Sequence, residues 1–172
     1  MKNKKQRPSK DETFLDMALV AKKQSTCVRR NFGAVIVKDG DVISTGYNGP
    51  ARGAPNCMDH GCLKDEVGAA PGRNYDVCRA GPLHAEVNSI INAARHNGGI
   101  RGATMYIAGT YFKDGRLSDA YPCIICKKQI VNAGLKKVVI KKADGKIESF
   151  DVEDWVAEAK TSKDRDIVSF YN

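Results

Sequence analysis

Two short stretches set far apart in the chain, His84-Ala85-Glu86 and Pro122-Cys123-Ile124-Ile125-Cys126, constrain it more than any other feature. Together they offer one imidazole, two thiols and a carboxylate. Catalytic zinc takes three protein ligands and keeps a fourth position for water. His84, Cys123 and Cys126 can supply the three ligands. Glu86 lies two residues beyond His84, close enough to hydrogen-bond that water without ligating the metal. Zinc lowers the pKa of such a water toward neutrality. A carboxylate beside it can carry a proton from the water to a leaving amine. A structural zinc knuckle, or a helical C-x-x-C beside a coincidental histidine, is the competing interpretation. It does not explain why Pro, Cys, Cys, His and Glu all fall in register.

The 172 residues suit one domain with a sizeable core. The net charge is +8, and much of it sits at the start, on Lys2, Lys4, Lys5, Arg7 and Lys10, with no acid before Asp11. Residues 1–10 therefore read as a basic flexible tail, and a nucleic-acid role for it is the less favoured interpretation. A basic balance also suits a phosphorylated small substrate. No apolar core follows these charges, as a secretory signal requires. No apolar run is long enough to span a bilayer. The expectation is a cytoplasmic protein with no membrane partner. In that compartment its six cysteines are metal ligands or free thiols sooner than disulfides.

Ser9-Lys10-Asp11-Glu12 reads as a capping box, with a helix to about Lys23 that buries Phe14, Leu15, Ala18 and Leu19. Gly33 to Val37 reads as a strand. Asp39-Gly40 is a two-residue hairpin signal, and Val42 to Gly46 is the return strand. Residues 51–82 show no period and hold Cys57, His60, Cys62 and Cys78. A loop this long needs a staple or a function. A helix is expected from His84 to about His96, stopping at Asn97-Gly98-Gly99. Thr104 to Ala108 reads as the third strand. Residues 109–120 are polar, with a turn at Lys113-Asp114-Gly115. The next helix is expected to start at Pro122, a favoured first helical residue, and to end near Asn132. Lys137 to Ile140 and Ile147 to Phe150 read as the last strands, and Val152 to Lys160 as the last helix. Residues 11–160 form one domain in this reading, and 161–172 a C-terminal extension.

This order implies an α/β sandwich around a central mixed sheet. His84 and Glu86 then lie at the start of one helix, and Cys123 and Cys126 at the start of another. Two helix ends can meet on one side of a sheet. Their positive dipole ends favour thiolate over thiol.

The H-x-E and P-C-x-x-C pair is a known mark of zinc nucleobase deaminases. Other stretches point the same way: Gly33 to Gly40, Ile43 to Gly49, Val87-Asn88, Ala93-Ala94-Arg95, Gly102 to Tyr106 and Asn132 to Val139. On these residues the sequence resembles the cytidine and deoxycytidylate deaminase superfamily, over roughly residues 13–142. The Gly-Tyr-Asn-Gly turn, with Cys27 and Cys57, resembles its deoxycytidylate branch. The resemblance implies a three-layer α/β/α fold with a mixed five-stranded sheet. It implies zinc on His84, Cys123 and Cys126, Glu86 as proton shuttle, and conversion of deoxycytidylate (dCMP) to deoxyuridylate (dUMP) with release of ammonia from C4.

The resemblance also implies a substrate site. Asn48 is expected at the nucleotide, the backbone around Ala85 at the pyrimidine edge, and Arg95 near the nucleotide and a subunit contact. Tyr121 joins them as a substrate-binding residue. The plainer interpretations are a turn former for Asn48 and a solvated helix residue for Arg95. Many family members are hexamers controlled by deoxynucleoside triphosphates with Mg2+, so a homo-oligomer and such an effector are implied. Some carry a second, structural zinc at the positions of Cys27 and Cys57. Here Cys62 and Cys78 complete a four-thiolate set that would staple residues 51–82. His60 is the alternative ligand.

Two departures concern the nucleotide. Residues 109–121 read as an inserted loop, and Lys141-Lys142-Ala143-Asp144 stands where many relatives carry a substrate-contacting tyrosine. The insertion could form a flap, with Tyr111 or Phe112 over the nucleotide and Lys113 or Arg116 near its phosphate; a plain surface hairpin is the alternative. The rival functions are deamination of another cytosine nucleoside, nucleotide or RNA base, and a non-catalytic, zinc-stabilised nucleic-acid-binding module. Glu86 separates the last from the rest, since a purely structural metal site has no use for that carboxylate.

Overall fold

Why the first helix forms is visible at its start. The Ser9 hydroxyl accepts the Glu12 N–H at 3.1 Å, and the Glu12 carboxylate accepts the Ser9 N–H at 2.7 Å. This reciprocal cap satisfies two orphan donors and starts α1 (Lys10–Ala21). A short 3-10 turn, Lys22–Gln24, ends the segment. Next come β1 (Arg30–Lys38) and β2 (Asp41–Tyr47), paired antiparallel. Asp39 and Gly40 both take positive φ, 54° and 93°, as a tight hairpin turn of the mirrored type requires. The structure, a computed structural model, describes residues 7–70, 76–81, 83–96 and 98–161. The first six residues of the expected tail, Asn97 of the expected helix stop and residues 162–172 of the expected extension lie outside the described residues.

The remaining elements are α2 (Cys57–His60), α3 (Leu63–Glu66), α4 (Ala85–Arg95), β3 (Thr104–Tyr111), β4 (Leu117–Ser118), α5 (Ile124–Asn132), β5 (Lys137–Lys141), β6 (Ile147–Asp151) and α6 (Val152–Thr161). The sheet order is β2-β1-β3-β5-β6, with β4 hooked onto the end of β3. β3 and β5 are parallel and the other pairs antiparallel. The sheet is therefore mixed, with five main strands as expected and a sixth of two residues. α5 lies in the crossover that the parallel pair needs.

Strand alternation sorts the core into two layers. Val35, Val37, Tyr106, Ala108 and Val139 face Leu15 and Ala18 of α1. Ala34, Ile36, Met105, Ile107, Val138 and Ile140 face the other way, onto Ala85 of α4, Ile130 of α5 and Trp155 of α6. This gives the α/β/α sandwich. Two glycines let helices approach closely. A Cβ on Gly33 would collide with the Ala18 carbonyl of α1, and one on Gly46 with the Ala85 carbonyl and Ser89 N of α4. α4 is also pinned to β2 by Asn88 Nδ2 donating to Tyr47 O at 2.7 Å and Asn92 Nδ2 to Thr45 O at 2.8 Å.

Three expectations change. β3 runs on to Tyr111 because its far half pairs with Arg30 to Gly33 of β1. Residues 109–121 are thus not a free loop: Gly109 and Thr110 pair with Ser118 and Leu117, and Lys113 to Gly115 form the turn region of a hairpin. Pro122 does not open α5. It precedes Cys123, whose extended backbone (ψ 169°) makes it the N-cap. Residues 51–70 contain two single helical turns. Asn56 caps the first by accepting from Met58 N and Asp59 N. Arg29 holds this segment to the domain through Asp65 at 3.4 Å and Ala69 O at 3.5 Å.

Candidate active site and metal centre

His84 is the N-cap of α4 and Cys123 the N-cap of α5, and neither side chain caps its helix. The usual capping residues spend their side chains on the helix's first N–H groups. Here both side chains turn toward each other instead. Cys123 Sγ and Cys126 Sγ each lie 3.4 Å from His84 Nδ1. Among the described residues these three form the one group of metal-ligating atoms that converges, within 4.8 Å of one another. A tetrahedral zinc with ordinary Zn–N and Zn–S bonds needs N···S separations of about 3.5 Å. The donor set and its spacing therefore fit Zn2+.

The electrostatics fit a cation as well. The Cys126 S–H hydrogen bond draws the Cys123 thiol down to about 4, against the cost of burial, with His84 helping. The same bond and burial push Cys126 up. Burial opposes protonation of His84, but Cys123 and Glu86 outweigh it and lift its pKa. Glu86 is 5% exposed. Burial pushes its carboxyl up, and the His84 charge pulls it back down. A carboxyl held beside a reacting water can take a proton from it and give it on.

His84, Glu86 and Cys123 line a cavity of about 530 Å3. Asn48, Tyr111, Lys113 and Tyr121 line it too. Asn48 is 7% exposed and mostly committed to the fold. Its Oδ1 accepts from Phe32 N at 2.7 Å and Ser25 Oγ at 2.9 Å, and its Nδ2 donates to Arg30 O at 2.9 Å. One amide N–H remains to face a ligand. Ala85 is fully buried in the first turn of α4, immediately before Glu86. Tyr121 stands half-exposed at the mouth, its hydroxyl donating to Glu148 Oε2 at 2.7 Å. Arg95 is not brought to this cavity. It lines a separate hollow of about 290 Å3 with Tyr47, Arg52 and Asn88. Phe112 and Arg116 do not line the cavity either, and Arg116 Nε is paired with Asp114 at 2.8 Å.

Cys27, Cys57, Cys62 and Cys78 all border the same cavity. Burial, then the charges of the other three, push Cys57 up to about 11. They do not converge as tightly as the His84 group. His60 is exposed and does not line the cavity. Sequence reasoning missed Lys64, Arg30 and Asp119 as wall residues. Lys64 lies in the aperiodic stretch, where no spacing marks it.

A model of the cytidine and deoxycytidylate deaminase zinc-binding region matches residues 8–142. The chain is 38% identical over 133 residues to the deoxycytidylate deaminase of Schizosaccharomyces pombe, covering 77% of this chain and 37% of that protein. It is 36% identical over 139 residues to the deoxycytidylate deaminase of Mycobacterium phage D29, covering 79% of this chain and 97% of that one. The dCMP deaminase of cyanophage S-TIM5, solved in complex with dCMP and dUMP, superposes with a TM-score of 0.56 at 26% identity, covering 81% of this chain and 89% of that one. The chain spans 37% and 39% of the length of its fission-yeast and budding-yeast relatives. With its fold, its His/Cys/Cys group and these likenesses, the chain belongs to the cytidine and deoxycytidylate deaminase zinc-binding family.

Proposed function

We propose that the chain catalyses the zinc-dependent hydrolytic deamination of dCMP to dUMP. The observation that carries the reading is Glu86, buried beside the convergent His84, Cys123 and Cys126 and lining a cavity of about 530 Å3. His84 Nδ1 and the two sulfurs would hold the metal. When bound, zinc supplies a Lewis acid that makes water a competent nucleophile near neutral pH. Glu86 would take a proton from the attacking water and pass it to the ring nitrogen as the water oxygen bonds to C4, then carry the second proton to the amino group, so that the C4–N bond breaks and ammonia leaves. Ala85, with its backbone at the start of α4, borders the pyrimidine edge. Asn48 offers its remaining amide N–H to the nucleotide. Tyr121 closes the mouth.

Two further parts of the reading draw on family membership. A second, structural zinc is held by Cys27, Cys57, Cys62 and Cys78, supported by their lining of one cavity. The protein assembles as a homo-oligomer, a hexamer in the fuller form of the reading, and takes a deoxynucleoside triphosphate with Mg2+ as effector. Arg95, outside the cavity, is then a residue for subunit contact. Among the described residues no helix is long and apolar enough to cross a membrane. Cytoplasmic location is part of the proposal.

The test is ammonia release from dCMP, CMP, deoxycytidine, cytidine and a short RNA, run on protein of measured zinc content. Turnover of dCMP above all others is the expected result. Zinc-loaded protein that deaminates none of them would overturn the reading.

A further inference from the structure

We propose that Asp119 is a positioning residue for the metal centre: it clamps the strap of chain that delivers Cys123, and so fixes where that sulfur stands relative to His84. The inference rests on the zinc-binding group of the family and not on which cytosine compound is deaminated.

Residues 119–123 join β4 to α5 without a ladder of their own. Ser118, Ala120 and Pro122 are buried while Asp119 and Tyr121 are exposed, which is the alternation of an extended chain. The inward side packs: Ala120 belongs to the core layer that holds Ile107 and Ile140. The outward side is tied to the β5–β6 hairpin. Asp119 Oδ1 accepts the Ala143 N–H at 2.9 Å. Tyr121 makes the second tie, to Glu148 of β6. The turn that holds Ala143 is itself well bonded. Lys142 N donates to Lys146 O at 2.9 Å and Gly145 N to Lys142 O at 3.0 Å, while Asp144 Oδ1 accepts from Lys146 N at 3.0 Å. Gly145 takes a φ of 83°, which lets the turn close.

The two halves of the metal group are held differently. His84 directly precedes α4, and Asn88 and Asn92 pin that helix to β2. Cys123 is the N-cap of α5, and its side chain makes no capping bond, so the cap does not fix the sulfur. The helix behind it and the strap ahead of it must do so. Asp119 lies four residues before Cys123, a span of at most about 14 Å of chain. Within that span Ala120 and Pro122 are packed and the proline ring locks its own φ, so a shift at Asp119 is passed on instead of absorbed. A carboxylate suits the task, because its bond to a backbone N–H is charge-assisted and stronger than a neutral one. Metal ligands are oriented by partners of this kind behind them, and the metal loosens when such a partner is lost.

The experiment follows zinc transfer from the holoenzyme to a chromophoric chelator in the wild type, Asp119→Ala, Asp119→Asn and Asp114→Ala, well below each melting temperature. His84→Ala lacks one ligand and so identifies the phase that belongs to the His84, Cys123 and Cys126 group. Asp119→Ala should speed that phase about tenfold, the lower end of what losing a supporting partner costs a metal site. Asparagine keeps a carbonyl oxygen for the Ala143 N–H, so Asp119→Asn should recover most of the difference. Asp114 accepts from Arg116 N and Nε and does not line the cavity, so Asp114→Ala removes a comparably bonded carboxylate elsewhere and should release zinc as the wild type does. With Co2+ in place of Zn2+, the ligand-field absorption of the cysteine-bound ion should change in Asp119→Ala and match the wild type in Asp119→Asn. Release from Asp119→Ala at the wild-type rate would overturn the clamp. So would Asp119→Asn behaving like Asp119→Ala, since the charge and not the bond to Ala143 would then be the cause. If Asp119→Ala does not fold, Ala143→Pro removes the same bond from the donor side, and unchanged release there overturns the proposal. No arm needs turnover, so failure of the clamp and failure of the deamination reading are told apart.

Discussion

The Tyr121 hydroxyl donates to Glu148 Oε2 at 2.7 Å, which ties the residue just before Pro122 and Cys123 to the outermost strand, β6. Lys142 Nζ approaches the same carboxylate at 3.5 Å. The Tyr121 ring meets Phe150 edge-on with centroids 6.0 Å apart. An exposed ring that would otherwise swing is thereby held at the cavity mouth. Glu148→Gln and Tyr121→Phe should each raise KM for dCMP by roughly three- to tenfold, the size of one hydrogen bond, with kcat kept. Tyr121→Ala should raise it further. Steady-state kinetics on the three variants decide it, and a fall in kcat at constant KM would remove Tyr121 from substrate binding.

Glu86→Gln should keep the metal and the fold and lose most turnover. The amide nearly matches the carboxylate in shape but cannot cycle a proton. Positioned proton transfer contributes about 10²- to 10⁴-fold, and the loss should fall in that range. Zinc content and the thermal melt should match wild type. Near-normal turnover in a zinc-loaded variant would take the proton shuttle away from Glu86.

Elemental analysis of freshly purified, reduced protein should find two zinc ions per chain, and Cys57→Ser should leave one. Burial, then the charges of Cys27, Cys62 and Cys78, pushes the Cys57 thiol up to about 11. Structural zinc in finger peptides is worth on the order of 10–16 kcal/mol, so residues 51–70 should become protease-sensitive in the variant. One zinc in the wild type would show that these thiols hold no metal.

The metal-facing residues are legible in the sequence because their chemistry is rare and their spacing tight. Histidine and cysteine at two helix starts have few other uses. The core is legible for a different reason: Ala34 to Val37 and Met105 to Ala108 alternate faces over strands long enough to show it. What is not legible is short or depends on distant pairing. α2 and α3 are four residues each, too short for a helical period to appear. β4 has two residues, and it exists because Leu117 and Ser118 meet Thr110 and Gly109. Lys64 looks like any surface lysine until the chain around it folds over the cavity. Arg95 shows the reverse case: it shares α4 with Glu86, yet about two and a half turns of helix carry it to another hollow.

The last prediction joins the fold to the chemistry through Gly46. This residue lies in β2, where an added Cβ would strike the Ala85 carbonyl and Ser89 N, both backbone atoms of α4. Backbone cannot rotate away as a side chain can, so either the helix or the strand must shift. The contact lies at the first turn of α4, which carries Glu86 and follows His84 directly. Gly46→Ala should therefore destabilise the protein by roughly 1–3 kcal/mol, as overpacking in a tight core does. It should also lower kcat more than the stability loss alone explains, because the start of α4 moves relative to Cys123 and Cys126. Gly99→Ala is the control: its added Cβ would approach only Lys38 Nζ, at 4.0 Å, and both stability and turnover should hold. Denaturant melts and kcat on the zinc-loaded variants give both readings. If Gly46→Ala melts and turns over like the control, the close approach of β2 to α4 is not what positions the site.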